Sequence, residues 1–542
     1  MLRRYAAAAI ATGLVLSGGA ALAQIAVPDP GLINQENQRN RLQLEERVAP
    51  KAPTTLIVPP SRPPGTVTPP GGPTVVLRQV IFAPSAFLKT TELDASAAKY
   101  VGRRVDISEI ERLVKAVNDL YAAKGIVTAS ASLPPQDLAS GVLHIALIEG
   151  HVGAVNIKDN HALHGSYVRA SVPESSGAVV DVPRLANQLS RFNKTGVAQI
   201  QASLQPGSQF GLTDIQLAVI EPPVNSLDLF VDNQGVPSVG QYEGGFLYQR
   251  YAPLGVDDKF TLYGVFADGD ASVSGAYSLP FNRRGGRLGV SASYGNIRVI
   301  DGPFRPLRIL GNSLTTALNA TQPIFIDQKW LLLGDAAFSY SQSNSDQNHA
   351  PITRNETYKA SVGFTAGYTD PVVSANLSAT FSDGRTDIWV TDTRQKFELY
   401  NGNYSFLLRM PGATDATISG AFQVSSKSLL PGDQLFQIGG PTTVRGYQSN
   451  AIAGATGYYT NVEVHHDLKI IHSGLSGYVF YDHGAVYNPF PGVLNLNSLG
   501  FGMTVELQKY GLAELGIGFP VSNVFDRQPS CEAYVRLTAK FR

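Results

Sequence analysis

The stretch YVRLTAKF at residues 534–541 puts Val535, Leu537, Ala539 and Phe541 on one side of an extended chain and Tyr534, Arg536, Thr538 and Lys540 on the other. An apolar face backed by charged residues at alternate positions suits a strand standing between lipid and a watery lumen. The pattern recurs upstream. Ala360, Val362, Phe364, Ala366 and Tyr368 alternate with Ser361, Gly363, Thr365 and Gly367, and Leu288, Val290, Ala292 and Tyr294 with Gly289, Ser291 and Ser293. A soluble sandwich alternates too, with one face in its core and the other in solvent. These strands, however, run to about 9 to 11 residues, the length a tilted strand needs to cross a bilayer. They also use alanine and glycine where a two-sheet core needs larger aliphatics. From residue 223 to 542 about 16 such strands follow one another, enough to enclose an aqueous channel. The expected fold class is mainly β, a 16-stranded transmembrane barrel.

Bulk properties fit that expectation. The 542 residues carry 43 Lys+Arg against 43 Asp+Glu, so no long-range field draws the chain to nucleic acid. Mean hydropathy is −0.03, and past the N-terminal segment no apolar run is long enough for a transmembrane helix. Alternating strands escape such a search, and 53 glycines, 24 phenylalanines and 23 tyrosines suit them. Residues 1–23 hold Arg3 and Arg4, an alanine- and leucine-rich run and then Ala21, Leu22 and Ala23, the pattern of a cleaved secretory signal. Cys531 is the one cysteine, so no intramolecular disulfide can form.

Between the signal and the barrel the chain changes character three times. Within 24–48, residues 31–48 (GLINQENQRNRLQLEERV) favour helix but carry no continuous apolar stripe. At about 1.5 Å per residue this helix is roughly as long as the hydrocarbon core is thick, so a wet pore would suit it. Residues 49–75 contain 9 prolines and predict a semi-extended linker. Residues 76–150 and 151–222 then predict two small α+β modules of one pattern. In the first, Asp106 caps a helix with Glu109 three residues on, and Ile107, Ile110, Leu113, Val114, Val117 and Leu120 form its buried face. In the second, Pro183 opens a helix that buries Leu185, Leu189 and Phe192.

No GxxxxGK[ST], HExxH or GxSxG occurs, so nothing here predicts an enzyme, a metal or a cofactor. His465 and His466 read as ordinary barrel residues, and Asp482 beside His483 points to the opposite face. The long segment 426–456 between two barrel strands holds GGPTTVRGYQSN, with Val444, Arg445, Gly446 and Tyr447 among glycines. Loops of that length are functional or disordered. Downstream, FYDHG sets Phe480, Asp482 and Gly484 on one face, which must be the lumen because a carboxylate does not face lipid. Either Arg445 pairs with Asp482 across the pore, or it is a solvated loop arginine above a wet channel. Both stay open on the residues alone.

The pairing of VRGY with FYDHG resembles the two signature motifs of the TpsB transporters of two-partner secretion, the haemolysin-activator and filamentous-haemagglutinin-transporter family. LPPQDL at 133–138, IEG at 148–150 and DNQG at 232–235 are similar to that family's first POTRA domain and barrel start. The resemblance implies a plug helix, a linker, two periplasmic POTRA domains and a 16-stranded outer-membrane barrel of a Gram-negative cell, with the VRGY loop folded back into the pore. It also implies a secreted TpsA-like exoprotein, an adhesin or haemolysin, as partner. During biogenesis it implies outer-membrane lipid, periplasmic chaperones and the barrel-assembly machinery. A barrel-insertion factor of the same superfamily, or a passive porin, is the alternative. Arg542 departs from the pattern, since such barrels commonly end on an aromatic residue.

Overall fold

The computed structural model describes residues 28–48, 56–57, 71–209, 211–469, 473–487, 492–525 and 528–542. The secretory signal read at 1–23 and most of the proline-rich stretch fall outside those residues.

Sixteen antiparallel strands, from Asn225–Asp232 to Glu532–Phe541, close into a barrel in chain order, the first paired with the last. Alternation sorts the faces as the period of two requires. Val535, Leu537 and Phe541 are exposed on the outside, whereas Tyr534, Arg536 and Thr538 are buried within. The wall is uneven in height. Its first four strands have 8 to 11 residues, while Trp330–Gln347, Ala350–Thr369 and Thr393–Met410 have 18, 20 and 18. The expected 9 to 11 residues cover only the part in contact with lipid. Beyond the tilted ring pair Tyr340 and Tyr358 the long strands continue as polar sequence, which has no apolar face to count.

Outside the barrel lie the two modules. In the first, the helix Ile107–Ala123 starts on Asp106 in a reciprocal capping box with Glu109. Ile110, Leu113 and Val117 are buried as expected, but Ile107 is exposed and Tyr121 takes the fourth place on that face. The Tyr121 hydroxyl donates to Glu149 at 2.9 Å, which lets a polar tip sit in a core. A second helix, Thr90–Ala97, has too weak a pattern to be seen in sequence. The second module's helix Val182–Thr195 buries Leu185, Leu189 and Phe192. Its sheet has the order Leu56–Ile57, Gln199–Pro206, Leu212–Ile220, His151–Lys158. Leu56–Ile57 belongs to the proline-rich linker and runs parallel to Ala202 and Ser203. Part of the linker is therefore a strand, because an open sheet edge accepts any extended chain.

The helix Pro30–Val48 lies inside the barrel. At the far mouth Ser313 donates to the Pro30 carbonyl and Ser343 to Asp29. At the end near the modules Lys259 meets Glu45 at 2.9 Å. Polar side chains hold it between those points: Asn34 donates to Ser293, and Asn37 to Asp270 and Ser272, all at 3.0 Å. Its few apolar residues are not idle. Leu44 packs on Phe230, Leu247, Tyr263 and Val265, a small apolar patch of the inner wall that the polar composition of the helix does not announce.

Candidate functional site

The segment between the strands Thr414–Ser425 and Thr456–Asp467 folds back into the lumen as a hairpin, with Phe436–Ile438 paired to Ile452–Gly454 at its base. Its tip carries Val444, Arg445, Gly446 and Tyr447, none of them exposed. Gly446 has φ +85°, and its backbone lies against Gly518 of the wall, where a Cβ would sit 2.4 Å from the Gly446 nitrogen. Only glycine permits both that turn and that approach. Val444 packs toward Gly484, and a Cβ on Gly484 would come within 2.9 Å of it.

The arginine meets the aspartate. Arg445 Nε and Nη2 each donate to the Asp482 carboxylate at 2.7 Å, and the Arg445 backbone N–H adds a third bond at 3.0 Å. Phe480, two residues earlier and on the same face, lies flat beneath the guanidinium, 3.6 Å from carbon to ring centroid. Arg445 is 7 % exposed and Asp482 0 %, so this is a buried, bidentate, charge-assisted pair and not a solvated loop arginine. The face predicted for Phe480, Asp482 and Gly484 is the inner one, and all three are buried there.

Three partners escaped the sequence. Glu463 Oε1 takes a further contact from Arg445 Nη2 at 2.7 Å, so one guanidinium serves two carboxylates. Asn461 donates to Asp482 at 2.8 Å and also reaches the Thr443 carbonyl. The Tyr534 hydroxyl accepts the Gly446 N–H at 2.9 Å and donates to the Tyr447 carbonyl at 2.7 Å. A signal for Glu463 existed: Asn461 and Glu463 share the parity opposite the lipid-exposed Val462 and Val464. His465 continues that face and contacts Glu463, so it is tied to the site through one carboxylate. It is not an ordinary wall residue.

The Tyr447 ring is buried, and its hydroxyl shares its proton between the carbonyls of Asn497 and Ser522 at 2.8 and 2.9 Å. A buried hydroxyl needs such partners, and it shares them with the Val521 N–H on Asn497 and the Gln528 amide on Ser522. The DNQG stretch joins the same assembly, since Ser449 donates to the Gln234 carbonyl at 2.8 Å. The loop in turn touches the helix: Thr442 donates to Glu36 at 2.9 Å, and Gln437 to the Leu32 carbonyl at 3.0 Å. Among the described residues no cluster of three or more His, Cys, Asp and Glu could hold a metal.

Arg542, which breaks the aromatic ending, has a partner as well. Its guanidinium bonds the buried Asp228 at 2.7 Å, beside the Arg536 to Asp232 pair at 2.8 Å. Both pairs cross the seam between first and last strands, whose ladder has only 6 residue pairs.

Comparison with known proteins gives this geometry its context. The description "Haemolysin secretion/activation protein ShlB/FhaC/HecB" matches residues 211–505, and "POTRA domain, ShlB-type" matches residues 75–150. The heme/hemopexin transporter protein HuxB of Haemophilus influenzae strain 86-028NP is 23% identical over 590 residues, covering 100% of both chains. The outer membrane transporter CdiB of Escherichia coli is 25% identical over 460 residues, covering 79% of this chain and 74% of its own. In structure the chain is similar to CdiB from Escherichia coli, with a TM-score of 0.73 at 19% identity over 95% of this chain and 100% of that one. CdiB from Acinetobacter baumannii follows at 0.66 and 18%, again covering 95% and 100%. These two likenesses show the fold. With its family match over more than half its length, the chain belongs to the ShlB/FhaC/HecB haemolysin secretion/activation family, outer-membrane transporters of two-partner secretion with periplasmic POTRA domains.

Proposed function

We propose that this transporter recognises one large exoprotein by its N-terminal region in the periplasm and threads it, unfolded, through the barrel to the cell surface. An unfolded client carries unpaired backbone groups, and an open strand edge of a periplasmic module pairs with them by β-augmentation. The edge of Gln199–Pro206 fits that role, since among the described residues the linker pairs with only two of its eight residues. Residues 30–48 act as a plug that leaves, residues 426–455 act as an anchored lining that stays, and folding outside the cell biases movement outward. The observation that carries this reading is the content of the lumen. A polar helix held by separate hydrogen bonds spread along its length sits beside a loop held by one buried arginine on two carboxylates, a removable occupant next to a fixed one. The client is a TpsA-like adhesin or haemolysin, and the wall's assembly depends on lipid, periplasmic chaperones and the barrel-assembly machinery.

Co-expression with the neighbouring reading frame tests it. A large protein should reach the medium, and removing either residues 76–150 or residues 151–222 should stop this while the barrel still inserts. Secretion that survives both deletions would move recognition into the pore.

A further inference from the structure

Where the second module meets the barrel, a crevice of about 420 Å³ opens between the helix Val182–Thr195 and the barrel turn that contains Phe281 and Arg283. One side of the joint is locked. Asp257, fully buried, accepts backbone N–H groups from Val197 and Ala198 at 2.8 to 3.1 Å and the Tyr251 hydroxyl at 3.1 Å, and it pairs with Arg287 at 3.1 Å. Arg287 and Asp257 thus neutralise each other and leave the rest of the crevice to its other groups.

Those groups are cationic and uncommitted. Arg191 from the helix and Arg283 from the turn both line the crevice, and neither makes a side-chain hydrogen bond or ion pair among the described residues. Gln188 lines the same crevice, and its amide Oε1 is buried with no hydrogen-bond partner among the described residues. A buried amide oxygen without a partner marks a place where something polar belongs. Arg284 follows on the same turn and adds a further cation.

The location narrows the ligand. Phe281 forms part of the crevice wall yet is 48% exposed. Ile324, Phe325 and Trp330 are exposed on neighbouring strand ends, and the Trp330 ring packs on Tyr368 at 4.7 Å. The same helix of the second module reaches this rim, where Lys194 Nζ donates to the Trp330 carbonyl at 3.3 Å. Aromatic residues collect where a membrane's apolar band ends, so the crevice opens at the level of the headgroups of the periplasmic leaflet. Guanidinium groups prefer phosphate oxygens, which they bind through paired N–H donors. Basic crevices at the membrane boundary hold anionic headgroups in this manner.

We propose that this crevice binds the phosphodiester headgroup of an anionic phospholipid of the inner leaflet, with Arg191 and Arg283 on the phosphate, Gln188 on the polar head, and the acyl chains leaving over Phe281. The lipid bridges module and barrel on the side that Asp257 does not lock, and so fixes the angle at which the periplasmic arm meets the pore.

The test uses the full-length transporter, delipidated in detergent and titrated with phosphatidylglycerol, with phosphatidylethanolamine and with inorganic phosphate, bound lipid being counted by native mass spectrometry and phosphate by calorimetry. Phosphatidylglycerol should bind with a stoichiometry of one above background. The Arg191→Ala, Arg283→Ala double variant should bind it at least about tenfold more weakly, as loss of charge-assisted bonds predicts, with heat-modifiability confirming a folded barrel. Gln188→Ala, which leaves the charges in place, should weaken it less. Equal binding by wild type and double variant overturns the proposal. Inorganic phosphate binding as tightly as the lipid overturns the assignment to lipid, and equal binding of the zwitterionic lipid overturns the role of charge.

Discussion

The plug helix and the pore loop fill the same lumen by opposite means. The helix makes many contacts, but they are spread along its length as single hydrogen bonds, with the Glu45 to Lys259 ion pair at one end. Each such bond contributes only about 1 kcal/mol net, and water replaces it readily in a wet pore. The loop concentrates its hold at one buried guanidinium shared by Asp482 and Glu463 over the Phe480 ring. Removing one member there strands a buried charge, which costs about 3 to 5 kcal/mol. On the function proposed above, the first occupant leaves and the second remains.

Breaking the loop should have the largest effect. Arg445→Ala and Asp482→Ala are each expected to leave a heat-modifiable barrel in the outer membrane and to lower secretion at least about tenfold, with the double variant little worse than either. Losses that multiply independently in a secretion assay would mean that the two do not act as a pair. Arg445→Lys should fail to restore secretion, because an ammonium cannot bridge two carboxylates while lying flat on Phe480.

Deleting residues 31–48 should come next. Single-channel conductance in planar bilayers is expected to rise several-fold, while secretion persists, because the wall contacts of the helix are dispersed and none of them joins the Arg445 pair. Unchanged conductance would place the helix outside the conducting path.

Tyr447→Phe sharpens the contrast within the loop. It removes the hydroxyl that bonds Asn497 and Ser522 but keeps the buried ring. A loss of about 1 kcal/mol of local stability follows, because the Asn497 carbonyl keeps the Val521 N–H and the Ser522 carbonyl keeps the Gln528 amide. Hydrogen exchange at residues 436–454 should report it, with only a modest fall in secretion.

The smallest effect is expected where helix and loop meet at the outer mouth. Asp29 lies against Gly432, and Asp433 against Gly31, so two carboxyl groups approach with no side chain between them. Among the described residues Asp433 Oδ1 is buried without a hydrogen-bond partner, while Ser341 bonds Asp433 Oδ2, Ser343 bonds Asp29 Oδ1, and Lys359 donates to Gln434. Burial first, and the Asp433 charge second, push the Asp29 carboxyl up to about 6. In a released helix it would return to the ordinary carboxylate range, so the seated helix binds the proton more tightly. Seating should therefore strengthen as pH falls below about 6 toward the ordinary carboxylate range, and change little above that value. Channel opening measured near pH 5 and near pH 7.5 should differ by roughly a few-fold, and Asp433→Asn should flatten the difference.

Much of this was legible in the residues because the signals are local. A period of two assigns Val535 and Leu537 to lipid and Arg536 to the lumen without knowledge of any other strand. The same rule puts Phe480 and Asp482 inside, and the Asp106 to Glu109 box marks a helix start. Lengths were less legible. A 20-residue strand such as Ala350–Thr369 looks short in sequence because its polar continuation above the membrane leaves no alternating apolar face.

By itself, then, the sequence determined a lipid-facing wall, a polar helix matched to the thickness of a bilayer, and an arginine and an aspartate with a reason to meet. Which partners each side chain takes was decided by the closed barrel alone. Glu463 joins Arg445, the Tyr447 hydroxyl reaches Asn497 and Ser522, and Arg542 finds Asp228 across 314 residues of chain. Alternation fixes only the face on which a residue stands, whereas register, closure and the return of a loop into the lumen fix its neighbours, and a buried charge or hydroxyl must be satisfied by whatever that geometry brings within reach.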